Sequence, residues 1–143
     1  MPRLALVNML LGFAALFLAA AAGSFIATTM TEGYLRDKAI LDEWSLLLQR
    51  SAHGHTNLFG MLHVCFGLTM PYSALGARLK KLQTVGLAAG TVAMGPLMLW
   101  RAAAGPVEGL DASSAVIGVC LSAALAAIGS HAFGLGLKLA RRG

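Results

Sequence analysis

A chain of 143 residues that is 57% hydrophobic and only 12% charged carries more apolar surface than a soluble domain of that length can bury, since ordinary domains are about 25% charged. That balance excludes a soluble enzyme and predicts a single all-α domain whose outer surface meets lipid. The net charge of +5 does not mark a nucleic-acid surface, because the basic residues sit at the ends of apolar stretches, where the positive-inside rule places them.

Four stretches reach the roughly 20 residues that a membrane-spanning helix needs. They run from about Leu6 to Thr29, Ala52 to Leu75, Leu82 to Ala103 and Ser113 to Leu137. The first follows Pro2-Arg3 and ends near Ala-Ala-Ala-Gly-Ser, as a signal peptide would, but its apolar run exceeds the usual 7–15 residues. It is read as a retained helix. Between the first two stretches the segment Lys38 to Gln49 reads as a short helix on the membrane surface. Pro71 and Pro96 are expected to kink helices 2 and 3. Gly86 and Gly90 form a G-x-x-x-G pair suited to close helix contact. Cys65 and Cys120 each lie in an apolar run without a C-x-x-C partner, and read as small packing residues.

Orientation follows from Lys and Arg. Arg3, the Arg78-Lys80-Lys81 loop and the Lys138-Arg141-Arg142 tail assign both termini to the cytoplasm. The loop from Thr31 to Ser51 mixes signs and goes outside, as does the loop carrying Glu108 and Asp111. Trp44 and Trp100 fall at that outer boundary, as interfacial anchors do. The expectation is an integral four-helix bundle, multi-pass in a bacterial-type inner membrane.

The chemistry-bearing residues are concentrated in helix 2. There is no phosphate loop, dinucleotide fingerprint, H-E-x-x-H or G-x-S-x-G motif. The segment Arg50-Ser-Ala-His53-Gly-His55-Thr-Asn57-Leu-Phe-Gly60-Met61-Leu-His63 instead places ionisable groups where they are costly and usually functional. At about 100° per residue, His53, Asn57, Gly60 and Val64 share one helix face. Such a stripe suits a flat macrocycle: imidazole can ligate iron, and glycine lets the ring approach the backbone. His55 lies on the opposite face and would serve a neighbouring subunit or meet water. His63 is expected to bond a carbonyl of another helix or Thr91, and His131, beside Ser130, reads as structural. His63 and His131 differ in depth by about 12 Å, which argues against a two-histidine haem sandwich within one chain. A His and Met pair using Met98 stays open, as do His55 and His63 as alternative ligands. A single-ligand haem leaves a position free for Lewis-acid chemistry.

At this segment the chain resembles the styrene oxide isomerase family of small four-helix membrane enzymes. The resemblance rests on Arg50, on Ala52-His53 followed seven residues later by Gly60-Met61, on Pro71, and on the basic loop leading into a glycine-containing helix 3. Phe59 stands where the family has Asn, the nearest Asn being Asn57, and the Gly95-Pro96-Leu97 stretch lacks the family's Tyr. The resemblance implies ferric haem b held between subunits of a homotrimer, with His53 as axial ligand. It implies an iron that acts as a Lewis acid on an aryl epoxide such as styrene oxide, giving an aldehyde after a hydride shift. On this expectation Asn57 contacts substrate or haem edge, Arg50 and Arg101 pair with propionates, Gly60 lies under the ring, and Phe59 and Met98 wall an apolar pocket. The rival expectations are a haem-binding electron-transfer subunit and an accessory membrane protein without cofactor.

Overall fold

Hydroxyl-bearing residues persist inside the first apolar helix because each satisfies itself. In α1 (Arg3–Leu35), Ser24, Thr28, Thr29 and Thr31 all donate to the carbonyl one turn back, so these four hydroxyls need no water as a partner. The computed structural model from which this helix is read describes residues 2–36, 42–109 and 111–141. Of the expected surface helix, residues 38–41 lie outside the described residues. The rest belongs to α2 (Glu43–Thr69), one continuous helix. Asp42 caps it by accepting from the Ser45 N–H and hydroxyl, both at 2.8 Å, and Glu43 in the first turn suits the positive end of the helix dipole.

The two helix prolines act differently. Pro71 does not kink helix 2. The α-helix stops at Thr69 and Pro71 opens a 3-10 turn, Met70–Tyr72, because a proline at the start of a turn has no N–H to miss. The expected span to Leu75 is therefore shorter. Pro96 sits inside α3 (Ala77–Ala104). The helix widens there into a π-turn over Ala93–Leu97 and then resumes, which accommodates the proline ring without ending the helix. It stops at Gly105, whose φ of 79° favours glycine. The last helix, α4 (Ala112–Ala140), is capped by Asp111, which accepts from the Ser114 N–H.

The four helices alternate in direction, and the main pairings are α1 with α2 and α3 with α4, joined where α2 meets α3. Glycines set the close approaches. A Cβ on Gly12 would lie 2.7 Å from the Gly60 carbonyl, and one on Gly86 2.7 Å from the Ala123 carbonyl. The Gly86 and Gly90 pair thus works as expected, Gly86 on α4 and Gly90 against Phe59 and Ala124. Phe59, Phe66, Met70, Leu87, Met94 and Ala124 form the core. Cys65 is exposed and unpaired, so it is not a packing residue; Cys120 is half-buried and also free.

Three helices, α1, α3 and α4, are long and apolar enough to cross a membrane. Helix α2 is not among them, because its three histidines and Asn57 lower its hydropathy. Two of its polar side chains meet other polar atoms: His63 is buried against Asn8 of α1, and Asn57 bonds His53 one turn back on its own helix.

A lock closes one end of the bundle. The Arg101 side chain is buried, donates to the Gly105 carbonyl at 2.9 Å, lies 3.8 Å from the Asp111 carboxylate and stacks 5.0 Å over Trp44. Trp44 is engaged here and does not stand free, whereas Trp100 is largely exposed. Hydrogen bonds from Ser113 and Ser114 hold the Asp111 carboxyl well below the usual carboxylate range.

Candidate functional site: a groove beside His53

The site begins with a glycine on α1. A Cβ on Gly23 would lie 2.5 Å from His53 Cε1, so the imidazole occupies the space that any other residue there would fill. One turn earlier, the Ala19 carbonyl lies 2.9 Å from His53 Nδ1. A carbonyl only accepts, so Nδ1 carries the proton and Nε2 presents its lone pair. The Asn57 amide approaches Nε2 at 3.4 Å while donating to the His53 carbonyl at 3.2 Å. Metal-bound histidines are held in this way, with the far ring nitrogen donating to a fixed oxygen.

His53 forms part of the wall of a groove of about 490 Å³ between α1, α2 and α3. Its α1 side is built from Leu and Ala, including Leu11, Leu18 and Ala22. Its α3 side runs from Thr91 through the π-turn residues Gly95 and Pro96 to Leu99. Gln49 and Thr56 join His53 from α2. No Asp, Glu, Lys or Arg is among the lining residues. A shallower groove shares Ala22, Gln49 and Leu99 and continues towards Phe25 and Ala103. An apolar cleft with a few convergent polar groups is the usual form of a small-molecule site.

Several expected participants lie elsewhere. Gly60 does not offer an open face: a Cβ there would meet Leu16 at 2.9 Å and the Gly12 carbonyl at 3.1 Å. The face shared by His53, Gly60 and Val64 is packed against α1, so it is a helix contact and not a bed for a macrocycle. Phe59 and Met98 pack in or on the core and are not among the groove's lining residues. Arg101 is taken up by the end lock. Arg50 is exposed and borders a separate shallow depression with Glu43 and Ser51. His55 is exposed and bonds the Ser51 carbonyl through Nδ1 at 2.9 Å.

His63 and His131 belong to a polar layer deeper in the bundle. The Asn8 amide donates to the Leu4 carbonyl and the Thr84 hydroxyl, and its oxygen accepts from His63 Nδ1 at 2.9 Å. The partner is thus an amide and not a backbone carbonyl, and Thr91 bonds its own helix at Leu87. His63 Nε2 is buried with no partner among the described residues. His131 stacks on Phe66 at 4.2 Å, reaches Thr69 at 2.8 Å, and faces Gln83, which in turn bonds Ser130.

Tested as a ligand set, the residues fit a haem at one point. Among the described residues no three His, Cys, Asp or Glu gather to hold a bare metal ion. A porphyrin supplies four ligands itself and needs one imidazole lone pair, and His53, whose Nε2 is the unprotonated nitrogen, is the histidine among the groove's lining residues. The fit lies towards the groove and not along the Gly60 face.

Comparison of the chain with protein-family models, with curated proteins and with solved structures returns no match.

Proposed function

We propose that this chain is an integral protein of a bacterial-type inner membrane that binds haem b through His53 and isomerises aryl epoxides to aldehydes. Three helices with the length and apolarity of spans support the membrane reading, and α2, packed between α1 and α3, is taken as the fourth. The end carrying Arg78, Lys80, Lys81, Lys138 and Arg141 is taken as cytoplasmic, together with both termini.

The observation that carries the functional reading is the clamp on His53: Nδ1 is held by the Ala19 carbonyl, the ring is seated on Gly23, Nε2 carries no proton and has the Asn57 amide beside it, and the side chain is part of the wall of a groove without Asp, Glu, Lys or Arg. When bound, ferric haem supplies a Lewis acid to polarise the epoxide oxygen. The protein's own contribution is to hold the imidazole in one tautomer, keep Asn57 beside it and exclude water with Leu11, Leu18, Val92 and Leu99. Arg50, exposed one turn above His53, is the remaining cation for a propionate. The assembly proposed with this reading is a homotrimer, in which a neighbouring copy would cover the groove.

The direct test is to supply haem to the detergent-purified protein and assay styrene oxide. Phenylacetaldehyde formation that His53→Ala abolishes supports the reading. Turnover that survives in His53→Ala, or haem bound without any turnover, contradicts it.

A further inference from the structure

Seven described threonines lie within helices, and six donate their hydroxyls to the carbonyl one turn back: Thr28, Thr29, Thr31, Thr69, Thr84 and Thr91. Thr56 is the exception. Among the described residues its hydroxyl has no partner, and it projects into the groove, 3.1 Å from where a Cβ on Gly95 would stand. Threonine in an apolar helix bonds its own backbone unless something better is offered. Gln49 is alike: its amide lines both grooves and bonds no other described side chain or carbonyl. Gln49, His53 and Thr56 stand at i−4, i and i+3, one face of α2.

From this we infer that Gln49 and Thr56 are ligand-binding residues, whose free donors flank His53 and select an uncharged hydrophobe carrying an oxygen acceptor. The charge state of the ligand follows from the walls. With no Asp, Glu, Lys or Arg lining the groove, a charged ligand would lose its hydration without a counter-charge. The oxygen follows from the donors. An amide N–H and a hydroxyl on an apolar wall discriminate for a ligand that accepts hydrogen bonds, because a pure hydrocarbon leaves them unpaired. The glycine and π-turn opposite Thr56 leave the hydroxyl room to rotate towards such an oxygen. Both residues would contact the ligand directly, and neither is among His53, Asn57, Gly60 and Val64, the residues that the sequence pattern singles out.

This inference rests on the reading of the groove as the substrate site, but it does not need haem to be bound, so its test is run on haem-free protein. Affinities of 2-acetylnaphthalene and of naphthalene are measured by equilibrium dialysis against protein in detergent, with protein-free micelles as the blank. The wild-type chain is expected to prefer the ketone. Thr56→Val and Gln49→Leu should each reduce that preference by about 3- to 10-fold, the equivalent of one hydrogen bond, and leave naphthalene binding unchanged. Thr56→Ser should restore it. An unchanged ketone preference in both variants overturns the inference. So does an equal loss of both probes, which would make the two residues wall elements only. Haem loading by His53→Ala, measured separately, tests the His53 assignment independently: haem retained there overturns that assignment, and the ketone preference decides this one.

Discussion

Replacing Gly23 by Ala probes the clamp on His53 from the opposite helix. The added Cβ would lie 2.5 Å from Cε1, 2.9 Å from Nδ1 and 3.2 Å from Nε2. Ordinary carbon contacts are about 3.5–4.0 Å, so the ring must retreat by about 1 Å. That retreat lengthens the 2.9 Å contact between Nδ1 and the Ala19 carbonyl to roughly 3.9 Å, beyond hydrogen-bonding range. The tautomer is then no longer fixed, and loss of such a supporting bond typically lowers metal affinity by about 10- to 100-fold. The assay is haem titration followed at the Soret band, paired with imidazole nitrogen NMR of labelled protein to read the tautomer. Gly54→Ala is the control, since a Cβ there meets nothing within 4 Å. Wild-type haem affinity and an unchanged tautomer in Gly23→Ala would refute the clamp.

Other positions give independent tests. Gly12→Ala forces a Cβ to within 2.7 Å of the Gly60 carbonyl and of Val64, so α1 should separate from α2 at a loss of about 1–3 kcal/mol, read by denaturant unfolding in detergent; Gly118→Ala, with open space around it, should be neutral. Asn8→Leu strands the buried His63 N–H, at about 1–3 kcal/mol for a group left buried and unpaired, whereas the Thr84 hydroxyl keeps its bond to the Lys80 carbonyl. The Asn8→Leu/His63→Leu double variant should be less destabilised than the sum of the single variants, and simple additivity would argue against the network. For Asp111 the folded-state pKa is depressed, so its stabilising share is present above the unfolded value of about 3.9 and is lost as pH falls through the folded value. Thermal unfolding should therefore weaken below about pH 4, and Asp111→Asn should flatten that dependence.

Much of the helical layout was legible in the sequence because hydropathy and glycine spacing act locally. The apolar runs gave the positions of α1, α3 and α4, and the Gly86 and Gly90 pair gave a true close contact. The end of α2 was misplaced because Pro71 follows Thr69 in an otherwise apolar run, and only a turn assignment separates a kink from a stop. The candidate site was legible for His53 but not for its neighbours. Helical periodicity correctly grouped His53 with Gly60 and Val64, but it could not say that α1, through Gly12 and Leu16, would cover that face. The clamp itself joins Ala19 and Gly23 to His53 across two helices, a pairing that no spacing within one helix encodes. The small residues of α1, Gly12, Ala15, Ala19 and Gly23 at intervals of three or four, were the available signal that this face would meet another backbone. Arg101 was misread for a related reason. A basic residue near a boundary looks free until the loop that follows it folds back, as Gly105 and Asp111 do.

In the proposed function His53 is the histidine of this chain that ligates the haem iron. Haem titration of the purified protein, comparing His53→Ala, His55→Ala and His63→Ala at the Soret band, tests it most directly. One haem per chain is expected in the wild type and in the His55 and His63 variants, with binding lost in His53→Ala alone. Haem retained by His53→Ala, or lost only on changing His55 or His63, would contradict it.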